Sequence, residues 1–322
     1  MTEESFTRRR EGFWREFEGI LNGGKAGLRA RAGWFPRGFR EVAQDLNTAR
    51  AHGFDPALIE RLNRLVLEGN QLLYGQRSFS LKPLARFLLG TFPQKVRAQW
   101  RGIGAAFLVF YGLAFFFGYL CLRFPDMVYQ FIPPGQAINL EMMYDPSSPH
   151  FLEPRDVSSD ADMFGFYIYN NISIAFRTFA GGILCGVGSL FFLALNGLIL
   201  GVSAAHIINK GFGSPFFSFI IGHSSLELTA IVFSAQGGLI LGYRFFVTRG
   251  LTRAASMREA GREALPLIAG AALLLVIAAG IEAFWSSRFT LPLRLRYGVG
   301  IGLWVLLILY FLFAGSSRRR GR

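Results

Sequence analysis

His223 and Glu227 stand four residues apart in GHSSLELTAIVFSAQGGLILG (222–242), a stretch that is otherwise apolar or small. On a helix that spacing puts both side chains on one face. A carboxylate in hydrocarbon is costly and is normally paired or functional. Three kinds of chemistry suit such a pair. Interhelical hydrogen bonding is one, with Glu227 meeting His223, Asn196 or an arginine. A proton or substrate relay is another, because buried ionisable groups mark transport paths. Metal-assisted hydrolysis is the third, but the zincin arrangement needs two histidines and a general base, so His206 would have to come from another helix.

No nucleophile elbow and no phosphate loop accompanies the pair. Gly102-Ile103-Gly104 sits inside an apolar run and reads as packing. Glu282, in IEAFWSS, lies near the end of an apolar run, where it reaches the interface. This reading assigns no catalytic residue, no metal and no cofactor. It assigns an intramembrane polar site: His223, Glu227, Asn196, Asn170 and Asn171. The stripe His223, Glu227, Ala230, Ser234 and Gly237 should face protein rather than lipid.

The elements that would position these residues are long apolar runs: 102–122, 163–208, 215–243, 264–285 and 297–314. Each reaches the roughly 18–20 residues that a helix needs to cross a bilayer. The fold class expected is all-α, a polytopic transmembrane bundle. The chain is 52% hydrophobic and contains 34 Phe. Its net charge of +13 does not point to nucleic acid, because basic residues flanking membrane spans serve topology and meet anionic lipid. Cys121 and Cys185 both lie in apolar runs and are read as packing residues, not a disulfide framework. Arg8, Arg9 and Arg10 precede EGFWREFEG rather than an apolar stretch, so the first span is expected to act as its own insertion signal.

Residues 1–80 read as a cytoplasmic bundle of amphipathic helices. The first carries Phe6, Phe13, Phe17, Ile20 and Leu21, the second Phe39, Val42, Leu46 and Ala49. The third carries Leu58, Leu62, Leu65, Gly69 and Leu72 after an Asp55-Pro56 start. Residues 81–101 form either an elbow in the membrane interface or a fourth helix of that bundle, opened by Pro83 and ended by Pro93. The membrane domain is 102–314, with an outer loop at 123–162 and a basic cytoplasmic tail at 315–322.

Charge sets the topology. Residues 1–101 hold 18 Lys/Arg, whereas 123–162 hold two Arg and seven Asp/Glu. The first segment should be cytoplasmic and the second outside. Connector 244–263 carries five arginines and the tail four, which should also be inside. Parity then requires run 163–208, about 69 Å as helix, to cross twice with a tight turn at Gly181-Gly182. That gives six spans in the inner membrane with both ends cytoplasmic. The alternative is five spans with 163–178 interfacial, which would suit Arg288, Arg294 and Arg296 better. Small residues recur four apart at Gly182/Gly186, Gly197/Gly201, Gly238/Gly242 and Gly298/Gly302, which lets helices approach closely and offers a homodimer face.

MFGFYIYNNISIAFRTFAGGILCG, ALNGLILG and GHSSLELTAIVFSAQGGLILG together resemble the stage II sporulation protein M family. IEAFWSS and the N-terminal RREGFW, DLNTAR and LNRLV resemble its longer, Gram-negative-type members. By motif position the family residues are Asn170, Asn171, Asn196, Gly197, His223, Glu227 and Leu228, with Ser224 where many members have glycine. The resemblance implies an all-helical integral membrane protein without established catalysis. The name-giving member serves in a complex with a cell-wall hydrolase during forespore engulfment. Longer members occur in bacteria that make no spores, and their genes neighbour those of a MoxR-type ATPase and von Willebrand factor-like proteins. The expected role is a non-enzymatic scaffold or subunit among envelope proteins and lipid. The alternative is a permease subunit working with a separate ATPase. The Pro-containing outer loop, longer than most connectors, is the expected docking surface.

Overall fold

A computed structural model of the chain describes residues 2–74, 81–148, 157–288 and 290–316. The middle of the expected outer loop and the arginine tail lie outside these residues. Every regular element among the described residues is helical. The chain divides into two compact units, 1–82 and 83–322.

The first unit holds α1 (Glu3–Asn22), α2 (Gly24–Ala30), α3 (Phe35–Ala51) and α4 (Pro56–Tyr74). The break at Asn22-Gly23-Gly24 is there, but a short extra helix follows it. Asp55 caps α4, its Oδ1 accepting from the Ala57 N–H at 2.8 Å. The apolar stripes meet in one core that includes Phe6, Phe17, Ile20, Val42, Leu46, Leu62 and Leu65. Trp14 was absent from the expected stripe and is fully buried. Its indole N–H donates to Asp45 Oδ2 at 2.8 Å, and Arg10 Nε donates to the same oxygen at 2.8 Å. A buried indole needs such an acceptor. Arg61 reaches both Glu11, at 2.8 Å, and Glu18, at 3.1 Å, tying α4 to α1.

The second unit begins with α5 (Lys82–Arg86), a π-helical turn at Phe87–Thr91 and α6 (Phe92–Ala98). Pro93 does not end a helix. It lies in the first turn of α6, where its missing N–H costs nothing. The segment packs within this unit: Phe92 is buried against Phe233 and Phe311, and Arg97 donates to the Phe311 and Ala314 carbonyls at 2.6 and 2.8 Å.

Six long helices follow, with a short cap inserted after the first. They are α7 (Trp100–Arg123), then the cap helices α8 (Val128–Phe131) and α9 (Pro134–Tyr144), then α10 (Val157–Ala180) and α11 (Val187–Asn209). A short α12 (Gly213–Ile220) leads to α13 (Ser224–Phe246), α14 (Arg253–Ile281) and α15 (Leu293–Phe313). Five of the described helices are long and apolar enough to cross a membrane: α7, α11, α13, α14 with the turn after it, and α15. Phe115, Tyr119, Leu306 and Phe313 are exposed on them, as a lipid-facing surface requires.

The contacts give each long helix a direction. Gly197 and Gly201 of α11 abut Phe110 and Ala114 of α7, and Asn209 donates to the Cys121 carbonyl at 2.9 Å, so α7 and α11 run parallel. Gly238 and Gly242 of α13 abut Ser189 and Gly186, so α13 runs opposite to them. The first turn of α10 is tied to Arg288, just beyond α14, and Phe179 near its other end meets Gly237 and Gly238. The 24-residue α10 therefore runs alongside α13 through the bundle. Asn170, Asn171 and Arg177 make it the least apolar of the six.

The chain turns at Gly181–Ile183 and again at Gly186, whose φ of +82° is one that glycine adopts without cost. This is the turn that the Gly181-Gly182 pair predicted. A methyl group added at Gly182, Gly197, Gly201, Gly238 or Gly242 would overlap backbone or side chain of the neighbouring segment, and one at Gly186 would touch Gly242. Gly298 and Gly302 differ. A methyl there meets nothing within 4 Å, so that pair does not bring two helices of this chain together.

Candidate functional site

Three elements build a buried polar pocket at one end of the bundle. His223 occupies the N-cap position of α13, with Glu227 one turn later. Gly222 lets α13 enter close beside Trp285 and Ser286. These belong to a π-helical turn, Glu282–Ser286, that ends α14. Such turns displace side chains from ordinary helical register and recur at functional sites. Here the turn carries Glu282 to the pair. A nitrogen of His223 and a carboxylate oxygen each of Glu227 and Glu282 lie within 4.8 Å of one another.

His223 is nine-tenths buried or more. Its Nδ1 lies 3.0 Å from Ser286 Oγ, and its Nε2 lies 3.7 Å from Glu227 Oε2, too far for a hydrogen bond. Arg296 of α15, also buried, donates to the Ser286 carbonyl at 2.5 Å and anchors the turn. The ring of Phe219 packs edge-on against His223 at 5.3 Å. Beside the triad is a cavity of about 280 Å³, lined also by Asn196, Ser203 and Tyr144. Two close carboxylates in a low-dielectric pocket repel each other, so the arrangement favours a cation between them.

The expected site residues thus divide. His223, Glu227 and Asn196 share one cavity. Asn196 is also anchored locally, its amide donating to the Phe192 carbonyl at 2.7 Å. Asn170 and Asn171 do not line that cavity. They bond to each other at 3.0 Å on α10, Asn171 buried and Asn170 exposed. His206 is not the third member. It faces Glu141 of α9 at 2.9 Å, with Lys210 on the same oxygen at 3.1 Å, and so fastens the cap to α11. Glu282, read from sequence as interfacial, takes the third place. Only the tertiary fold could reveal this, since 54 intervening residues separate it from Glu227.

A second polar cluster at the other end had no counterpart in the sequence reading. Buried Arg244 meets Glu259 at 3.1 Å and Glu263 at 3.8 Å. Glu263 also takes Lys95 at 3.3 Å and the Gln99 amide at 2.9 Å, and Gln236 donates to Gln99 at 3.2 Å. Gln236 in an apolar run was the available cue.

A sequence model described as stage II sporulation protein M matches residues 106–287, which hold most of α7, the helices from α8 to α14 and the triad. The chain belongs to the stage II sporulation protein M family. A second match, to a domain of unknown function (DUF8413), covers residues 4–75, the first helical unit. No curated protein and no solved structure matches the chain. As a stage II sporulation protein M family member it is a multi-pass membrane protein, and the membrane-associated family domain contains both the glycine contacts and the polar pocket.

Proposed function

We propose that this family member is a non-enzymatic subunit of a membrane complex of the cell envelope. It would sit in the cytoplasmic membrane with its first helical unit and its C-terminal tail inside and the cap outside. The observation that carries this is the cap, residues 124–148, a built surface rather than a loose connector. It folds as helices fixed to α11 through Glu141, His206 and Lys210. It presents Ile138, Met142 and Met143 to the exterior. Exposed apolar groups on an ordered element mark interaction surfaces. The orientation rests on the alternating directions of the six helices, which bring the Arg97, Arg101 and Arg244 ends together.

The test is affinity purification of the full chain in mild detergent, followed by mass spectrometry. The expected result is a defined set of envelope proteins, a MoxR-type ATPase system among the candidates, lost when Met142 and Met143 are both changed to Arg. An unchanged set would remove the cap as the docking face.

The pocket favours a second reading, a permease subunit driven by a separate ATPase. It would use His223 and Glu227 to bind what is moved. Reconstitution in liposomes with a co-purified ATPase tests it: transport should stop in Glu227→Gln while the protein stays folded. Normal transport by that variant would remove the pair from the path.

A further inference from the structure

We propose that His223, Glu227 and Glu282 form a divalent transition-metal site, with Zn²⁺, Mn²⁺ or Fe²⁺ as the ion. This goes beyond the subunit role and does not depend on it; under the permease reading the ion would itself be what His223 and Glu227 hold. The three ligand atoms come from two segments that meet only in the folded bundle, and they converge within 4.8 Å. An imidazole with two carboxylates suits borderline transition metals, whereas Mg²⁺ and Ca²⁺ take all-oxygen sets.

The imidazole is already aimed. Ser286 Oγ lies 3.0 Å from Nδ1, and Arg296 holds the Ser286 carbonyl. With the Nδ1 proton donated to Ser286, Nε2 keeps the lone pair that a metal needs and turns it toward the carboxylates. Support of this kind behind a ligating histidine is what metal sites require. The adjoining cavity of about 280 Å³ has room for a water in a fourth position. A tetrahedral site with bonds near 2.0–2.2 Å puts ligand atoms about 3.4 Å apart. His223 Nε2 and Glu227 Oε2 are already 3.7 Å apart and no pair exceeds 4.8 Å, so closure requires side-chain shifts of at most about 1.4 Å. A doubly charged ion would also offset the mutual repulsion of two carboxylates held close together inside the bundle.

The experiment uses the full chain in mild detergent, stripped with a chelator and titrated with Co²⁺ while its visible d–d absorption is followed. The expected result is saturation at one ion per chain, displacement by Zn²⁺, and a Zn²⁺-dependent rise in melting temperature. Glu227→Gln and Glu282→Gln should each abolish the Co²⁺ spectrum. Ser286→Ala should weaken binding by roughly 10–100-fold. His206→Gln, outside the triad, should leave it unchanged. Wild-type protein that is monodisperse yet gives no saturable spectrum overturns the proposal, as does a Glu282→Gln variant that binds like wild type. If the glutamine variants do not remain monodisperse, the wild-type spectrum and the Ser286→Ala titration decide. A wild type that takes up only protons, with no metal-dependent signal, also refutes it.

Discussion

Arg288 donates to Asp160 across 2.6 Å, joining the turn after α14 to the first turn of α10. This pair accounts for an arginine that the charge pattern had placed on the wrong side. Arg288, like Arg296 at the Ser286 carbonyl, is committed to a partner inside the fold rather than to membrane orientation. Asp160 is buried, and Arg288 supplies the cation beside it. Arg288→Gln should destabilise the membrane unit by roughly 3 kcal/mol, because it strands a buried carboxylate. Adding Asp160→Asn should recover most of that loss. Thermal melting in detergent checks both, and additive losses would contradict the pairing.

Glycine spacing gives a second prediction. Gly201→Leu forces a side chain into the Ala114 carbonyl and should cost the folded protein at least the roughly 1–3 kcal/mol of an overpacked core. Gly302→Leu, on an open face, should be tolerated. The monodisperse yield of the two variants is the readout. Equal yields would show that close approach at Gly201 is not required.

The first helical unit should be acid-sensitive. Hydrogen bonds from Arg61, aided by Arg15, hold the Glu11 carboxyl below its usual range. A depressed folded value stabilises the protein above the unfolded value, about 4.3 for glutamate, and that contribution is lost as pH falls below it. Melting of a 1–82 fragment followed by circular dichroism should therefore drop as pH falls below about 4.3. Glu11→Gln should lower stability at neutral pH and flatten that drop. A variant with the wild-type slope would exclude Glu11 as a source.

Topology is testable separately. Single cysteines at Ser147, Gly250 and Ser316, in a chain lacking Cys121 and Cys185, should divide into two classes with an impermeant thiol reagent. Residue 147 should react from outside, and 250 and 316 only after permeabilisation. Reaction of 250 and 316 from outside would support five crossings.

Much of the bundle was readable because membrane helices must satisfy their backbone internally and be apolar over a span. Glycine spacing was likewise legible, since a backbone contact leaves room for nothing larger. The site was half legible. His223 and Glu227 share one helix, so periodicity pairs them. Glu282 and Ser286 reach them through a π-helical turn, which shifts register in a way that ordinary helical spacing does not encode. Trp14 escaped because the helical stripe was assigned to its neighbour Phe13, whereas both pack against the core, Trp14 fully buried and Phe13 partly; Asp45, its partner, is 31 residues away. The Arg244 cluster escaped because arginine at a span end already had a sufficient reading in topology.

The central claim is that Glu227 faces the bundle interior and not the lipid. A nitroxide at position 227, compared by power-saturation EPR with one at the exposed Leu306, measures this directly. The account predicts low accessibility to oxygen at 227 and high accessibility at 306. Oxygen accessibility at 227 equal to that at 306, or free exposure to a water-soluble relaxant such as bulk solvent gives, would contradict it.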